Sequence, residues 1–155
     1  MDKLDRYDRA ILEELQVNAR LTNAELAQRV GLSAAPCWRR VRALEEAGVI
    51  TGYRAVVDRS KVGLGVLAFV RLEADRIGDG AIDALERAIQ ALPQVLACHY
   101  TSGTGTFELQ VVARDLDAFS RLAREQLSHL PNVKAMQTRF SLGEIAVGGV
   151  LPVGD

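Results

Sequence analysis

The sequence predicts an α+β chain: an N-terminal winged-type helix-turn-helix domain of three helices, then a ferredoxin-like β-α-β-β-α-β domain. Three observations carry this. The first fifty residues show three apolar stripes of helical period, separated by short polar or glycine-containing breaks. After Gly48 the period shifts toward alternation in β-branched stretches. From Val66 onward, strand-like and helix-like segments follow in the order β-α-β-β-α-β, the split βαβ pattern.

The first stripe is Tyr7, Ile11 and Leu15, with Leu4 and Leu12 beside it. Thr22-Asn23-Ala24-Glu25 then forms a capping box, in which Thr22 accepts from a first-turn N–H and Glu25 reaches back. A short second helix carries Leu26, Ala27 and Val30, and Gly31 supplies the permissive turn residue. Ser33 is placed to cap a third helix, with Pro36 in its first turn, where a missing N–H costs least. That helix is expected to run to about Glu46 and stop at Gly48.

A short helix, a tight turn and a longer helix make helix-turn-helix spacing, whose second helix enters the major groove of DNA. In the third helix Cys37, Val41 and Leu44 form the buried stripe. Ala35, Arg39 and Arg42 point the opposite way, with Trp38 and Arg40 on the flanks. Arginine binds guanine bidentately or clamps phosphate, and small residues at the helix tip allow close approach. The DNA-contacting set is therefore expected to be Ser33, Ala34, Ala35, Trp38, Arg39, Arg40 and Arg42. The competing reading is an ordinary solvated helix face, with Trp38 covering a helix–helix interface. Cys37 reads as a small core side chain rather than a redox sensor, since its stripe position is apolar.

Val49 to Val57 reads as a strand or extended linker, broken by Asp58-Arg59-Ser60-Lys61. This sets expected domains of 1–50, 51–62 (hinge strand or linker) and 63–155. In the second module, Val66 to Glu73 reads as a strand. Ile82, Leu85, Ile89 and Leu92 mark a helix closed by Pro93. Val95 to Thr101 reads as a strand, Ser102 to Gly105 as a turn, and Phe107, Leu109 and Val111 as a half-buried strand. Leu116, Phe119, Ala123, Leu127 and Leu130 mark a helix closed by Pro131, and Lys134 to Leu142 a last strand. Such a sheet carries helices on one face, so its other face calls for a partner, most simply a second copy. A palindromic DNA site would follow from that two-fold symmetry.

Composition narrows the function. The chain has 155 residues, 19 Lys+Arg against 20 Asp+Glu, and a net charge of -1, so the whole-chain charge makes no argument for nucleic acid. The distribution does: between Glu25 and Glu45 there is no acid, but Arg29, Arg39, Arg40 and Arg42 are present. Cys37 and Cys98 lie far apart with no CxxC, against a disulfide scaffold or zinc ribbon. The first 20 residues carry charges throughout, and the longest uncharged run, Ala88 to Phe107, is too polar for a membrane span. A cytoplasmic protein without membrane contact is expected. Cys98 and His99 are neighbours on a strand and point to opposite faces, so they form no metal or nucleophile–base pair. Gly103-Thr104-Gly105 lies in a hairpin rather than opening a helix, so no phosphate loop is present. No enzyme, metal or cofactor is expected.

Several segments resemble one family. Leu4 to Leu12 is similar to an "LDxxDxxIL" opening, Val30 to Ser33 and Pro36 to Glu45 to a recognition-helix signature, and Gly48 to Tyr53 to a hinge strand. Together they resemble the Lrp/AsnC family of bacterial and archaeal transcription regulators, over essentially the whole chain. The resemblance implies a DNA-binding regulator that forms dimers, often assembled into octamers. It also implies that the second domain senses amino acids at subunit interfaces. An effector would then lie near Thr101, Gly103, Thr104, Thr106 and Thr138. One departure stands out: the family's Gly-Asp-Tyr/Phe-Asp-Tyr/Phe loop is Gly103-Thr104-Gly105-Thr106-Phe107 here, with threonines replacing both acids. Hydroxyls hydrogen-bond but supply no charge for an ammonium group. Two alternatives stay open: an architectural DNA-wrapping protein without effector, and a ferredoxin-like metabolite-binding protein.

Overall fold

The computed structural model describes residues 4–75, 80–102, 105–145 and 149–153. The chain forms two compact units, residues 1–56 together with 146–155, and residues 57–145.

The first unit holds α1 (Arg6–Val17), α2 (Asn23–Val30) and α3 (Ala34–Glu46). Asp5 caps α1, accepting from the N–H groups of Tyr7 and Asp8, and Asp8 reaches back to the Asp5 N–H in a second capping box. The expected Thr22–Glu25 box is present at α2, which ends on Gly31 in the left-handed region (φ 70°). Ser33 occupies the N-cap of α3, but its side chain bonds no first-turn N–H. The three stripes meet in one core of Ile11, Leu12, Leu26, Ala27, Cys37 and Leu44. Cys37 is fully buried, so desolvation pushes its thiol pKa up, as fits a core side chain. Residues 51–58 form neither helix nor strand, the linker rather than the strand alternative.

Val153 packs on this same core, and Gln16 of α1 hydrogen-bonds the backbone of Leu151. The terminal residues thus group with the helices rather than with an expected 63–155 module, because an apolar side chain beyond the last strand finds its burial there.

The second unit is a four-stranded antiparallel sheet, ordered β2-β3-β1-β4, from β1 (Val66–Ala74), β2 (Val95–Thr101), β3 (Thr106–Ala113) and β4 (Val133–Phe140). With α4 (Ala81–Gln90) and α5 (Leu116–Glu125), it has the expected β-α-β-β-α-β order. Alternate residues Ala68, Val70 and Leu72 of β1 and Phe107, Leu109 and Val111 of β3 pack with Leu85, Ile89, Phe119 and Leu122 of the helices. The other face carries Phe69, Arg71, Glu73, Glu108, Gln110, Gln137 and Arg139.

Two boundaries differ from expectation. The last helix stops at Glu125 and gives way to a 3-10 turn, Leu127–His129, where the Ser128 hydroxyl donates to the Arg124 carbonyl at 2.7 Å. Leu127 keeps the buried position the helical period gave it. The last strand ends at Phe140, packed edge-on against Phe119, and Leu142 lies beyond it in solvent.

Candidate nucleic-acid interface

The turn between α2 and α3 is short because Gly31 adopts a conformation that other residues reach only with strain. The Leu32 N–H bonds the Ala27 carbonyl at 2.9 Å, closing the end of α2. Asn23, at the start of α2, donates its side-chain amide to the Ala34 carbonyl at 2.8 Å. That bond ties α2 to the tip of α3, and no periodic signal points to it in the sequence.

Burial of Cys37 and Leu44 fixes the rotation of α3. Ser33, Ala34, Ala35, Arg39 and Arg42 are left exposed, and Trp38 is 56% exposed. Asn23, Ala34, Ala35, Trp38 and Arg39 line a surface groove of about 470 Å³. Arg42 lies 5.8 Å from the Trp38 ring centroid and 3.1 Å from Glu46 one turn on. That exposed pair contributes little and yields readily to a phosphate.

Arg40 stands apart. Its guanidinium lies 2.8 Å from both Asp5 and Asp8, and 5.3 Å from the Tyr7 centroid. The Asp8 carboxylate foremost, then Asp5, raises the Arg40 pKa. The structure therefore gathers Ser33, Ala34, Ala35, Trp38, Arg39 and Arg42 on one open face and turns Arg40 toward α1.

In the second unit, the Thr101 hydroxyl donates to the Thr106 carbonyl at 3.2 Å, and the two residues are register partners. Gly103 and Thr104 lie outside the described residues. Gly105 has φ +61°, which suits a glycine-only turn, and its carbonyl accepts from the Ala74 N–H at 2.7 Å. Thr138 pairs with Val70 on β4, at the opposite edge of the sheet from Thr101. One chain does not bring Thr138 to Thr101 and Thr106. Among the described residues no group of three His, Cys, Asp or Glu side chains is placed to hold a metal ion, and no helix is long and apolar enough to cross a membrane.

An exposed arginine–tryptophan face on the second helix of a helix-turn-helix defines a DNA-binding unit. Known proteins agree. Residues 4–51 match the family model for winged helix-turn-helix DNA-binding, and residues 67–151 the model for the Lrp/AsnC ligand binding domain. The chain belongs to the Lrp/AsnC family of transcription regulators, and it is not an enzyme. It is 41% identical over 143 residues to a leucine-responsive regulatory protein of Rhizobium meliloti, covering 92% of each chain. The leucine-responsive regulatory protein of Escherichia coli is 37% identical over 142 residues, covering 92% of this chain and 87% of that one. A Neisseria meningitidis transcriptional regulator in complex with L-Met superposes with a TM-score of 0.91 at 37% identity, covering 97% of both chains. Escherichia coli AsnC gives 0.82 at 28% identity, covering 93% and 95%.

Proposed function

We propose that this regulator reads DNA with the face formed by Ser33, Ala34, Ala35, Trp38, Arg39 and Arg42, and that it works in the cytoplasm as a homodimer on a pseudo-palindromic operator. The observation that carries this is Arg39. It is exposed near the middle of α3 beside Trp38, and among the described residues it has no acidic partner. An unpaired guanidinium with small neighbours suits a base edge or a phosphate. The dimer reading rests on the sheet face without helices and on the hinge, where Tyr53, Val56 and Val57 are exposed. Assembly to an octamer would bury more of such surface.

The second domain takes a small molecule, and we propose an amino acid, held near Thr101, Gly103, Thr104 and Thr106. Since Thr138 sits at the other sheet edge, it would serve a site completed by another subunit. The L-Met bound by the Neisseria relative supports an apolar amino acid as the first candidate. A second reading, DNA binding without an effector, is favoured by the threonines at 104 and 106. A mobility shift on the upstream region of the protein's own gene, with a thermal-shift screen of the twenty amino acids, tests both. Binding with a ligand-dependent rise in melting temperature supports the effector reading, since a ligand held by the native state alone must stabilise it. Binding with no shift at millimolar amino acid supports the second.

A further inference from the structure

Arg40 sits in the recognition helix, yet its charge is already met. The Asp5 carboxylate accepts from Tyr7 and Asp8 N–H groups at 2.8 and 2.9 Å through Oδ1, and from Arg40 at 2.8 Å through Oδ2. Asp8 divides its oxygens the same way, Oδ2 to the Asp5 N–H at 3.1 Å and Oδ1 to Arg40 at 2.8 Å. Each carboxylate thus spends one oxygen on the start of α1 and the other on α3. Tyr7 stacks beneath the guanidinium. A DNA phosphate would have to displace two carboxylates that are themselves held by backbone N–H groups, a poor exchange next to Arg39 or Arg42.

We propose that Arg40 is a positioning residue: it pins α3 to the first turn of α1, and so sets how Trp38, Arg39 and Arg42 meet DNA without itself contacting a phosphate. This rests on the reading of α3 as the DNA-facing helix. It also gives the Asp5-x-x-Asp8 pair a long-range task besides capping.

The experiment uses the full chain and a duplex selected from a random pool by the wild-type protein. Affinity is measured against salt, well below each variant's melting temperature. Each phosphate contact contributes about 0.9 to the slope of log affinity against log salt. Arg39→Gln with Arg42→Gln is expected to lower that slope. Arg40→Gln is expected to weaken binding about tenfold, as misplacing a recognition helix costs at least one good contact, with the slope unchanged. Arg40→Lys recovers part of the loss and guards against a misfolded glutamine variant. Asp5→Asn with Asp8→Asn is the sharpest arm. Removing two negative charges from a DNA-binding unit should tighten binding on electrostatics alone, whereas here it should weaken it. A slope reduced by about one in Arg40→Gln, unaltered affinity in that variant, or tighter binding by the double asparagine variant overturns the assignment. If the wild-type chain selects no duplex at all, the DNA-facing reading of α3 itself fails.

Discussion

The side-chain amide of Gln16 brackets the backbone of Leu151. Its Nε2 donates to the carbonyl at 3.2 Å, and its Oε1 accepts from the N–H at 2.7 Å. A segment 135 residues downstream is thereby paired to the last turn of α1, and Val153 follows into the core of the helical unit.

Deleting residues 149–155 should therefore destabilise the helical unit more than Gln16→Ala does. The glutamine bonds are solvent-exposed and of the order of 1 kcal/mol together. The deletion removes those bonds and the Val153 packing as well. Thermal melts of both variants check the order. Equal effects would mean that Val153 adds nothing.

Gly31→Ala should cost about 1–2 kcal/mol, the penalty for a Cβ in left-handed backbone. A Cβ there would meet no atom within 4 Å, so the cost is conformational rather than steric. Gly31→Asn should cost less, since asparagine tolerates this region. Chemical denaturation distinguishes the two, and equal losses would contradict the backbone account.

Acid should loosen the helix starts. The Asp8 N–H foremost, then the Tyr7 N–H and Arg40, hold the Asp5 pKa below its ordinary 3.8. The Thr22 N–H and hydroxyl do the same for Glu25, below 4.5. A folded pKa below the unfolded one means that the native state binds fewer protons there. The contribution is complete above the unfolded values and is lost as pH falls through the depressed folded ones. Unfolding midpoints taken at steps below pH 4.5 should fall less steeply for Asp5→Asn with Glu25→Gln than for the wild type. Identical slopes would contradict it.

What the sequence shows and hides follows from the range of the interactions. The Thr22–Glu25 box and the Cys37–Val41–Leu44 stripe are local, within one or two turns, and the structure holds them as read. The Asp5–Asp8 box is equally local, with the same three-residue spacing, but its aspartates depart from the Thr-x-x-Glu pattern that marks such a box in sequence. Helical projection put Trp38 and Arg40 on equal flanks. Only the packing of α1 beside α3 makes one flank open and the other a carboxylate-lined contact. The return of Leu151 and Val153 to α1 has no periodicity at all. Thr101 and Thr138 share a residue type, but strand order alone places them at opposite edges.

DNA binding is proposed for the open face of α3, where Arg39 and Arg42 stand exposed. Arg39→Ala with Arg42→Ala removes both exposed cations and leaves the buried stripe and the Arg40 contacts untouched. In a mobility shift on the gene's own upstream region at varied salt, this variant should lose specific binding while its melting temperature and oligomeric state stay those of the wild type. Wild-type affinity in the double variant would contradict the claim.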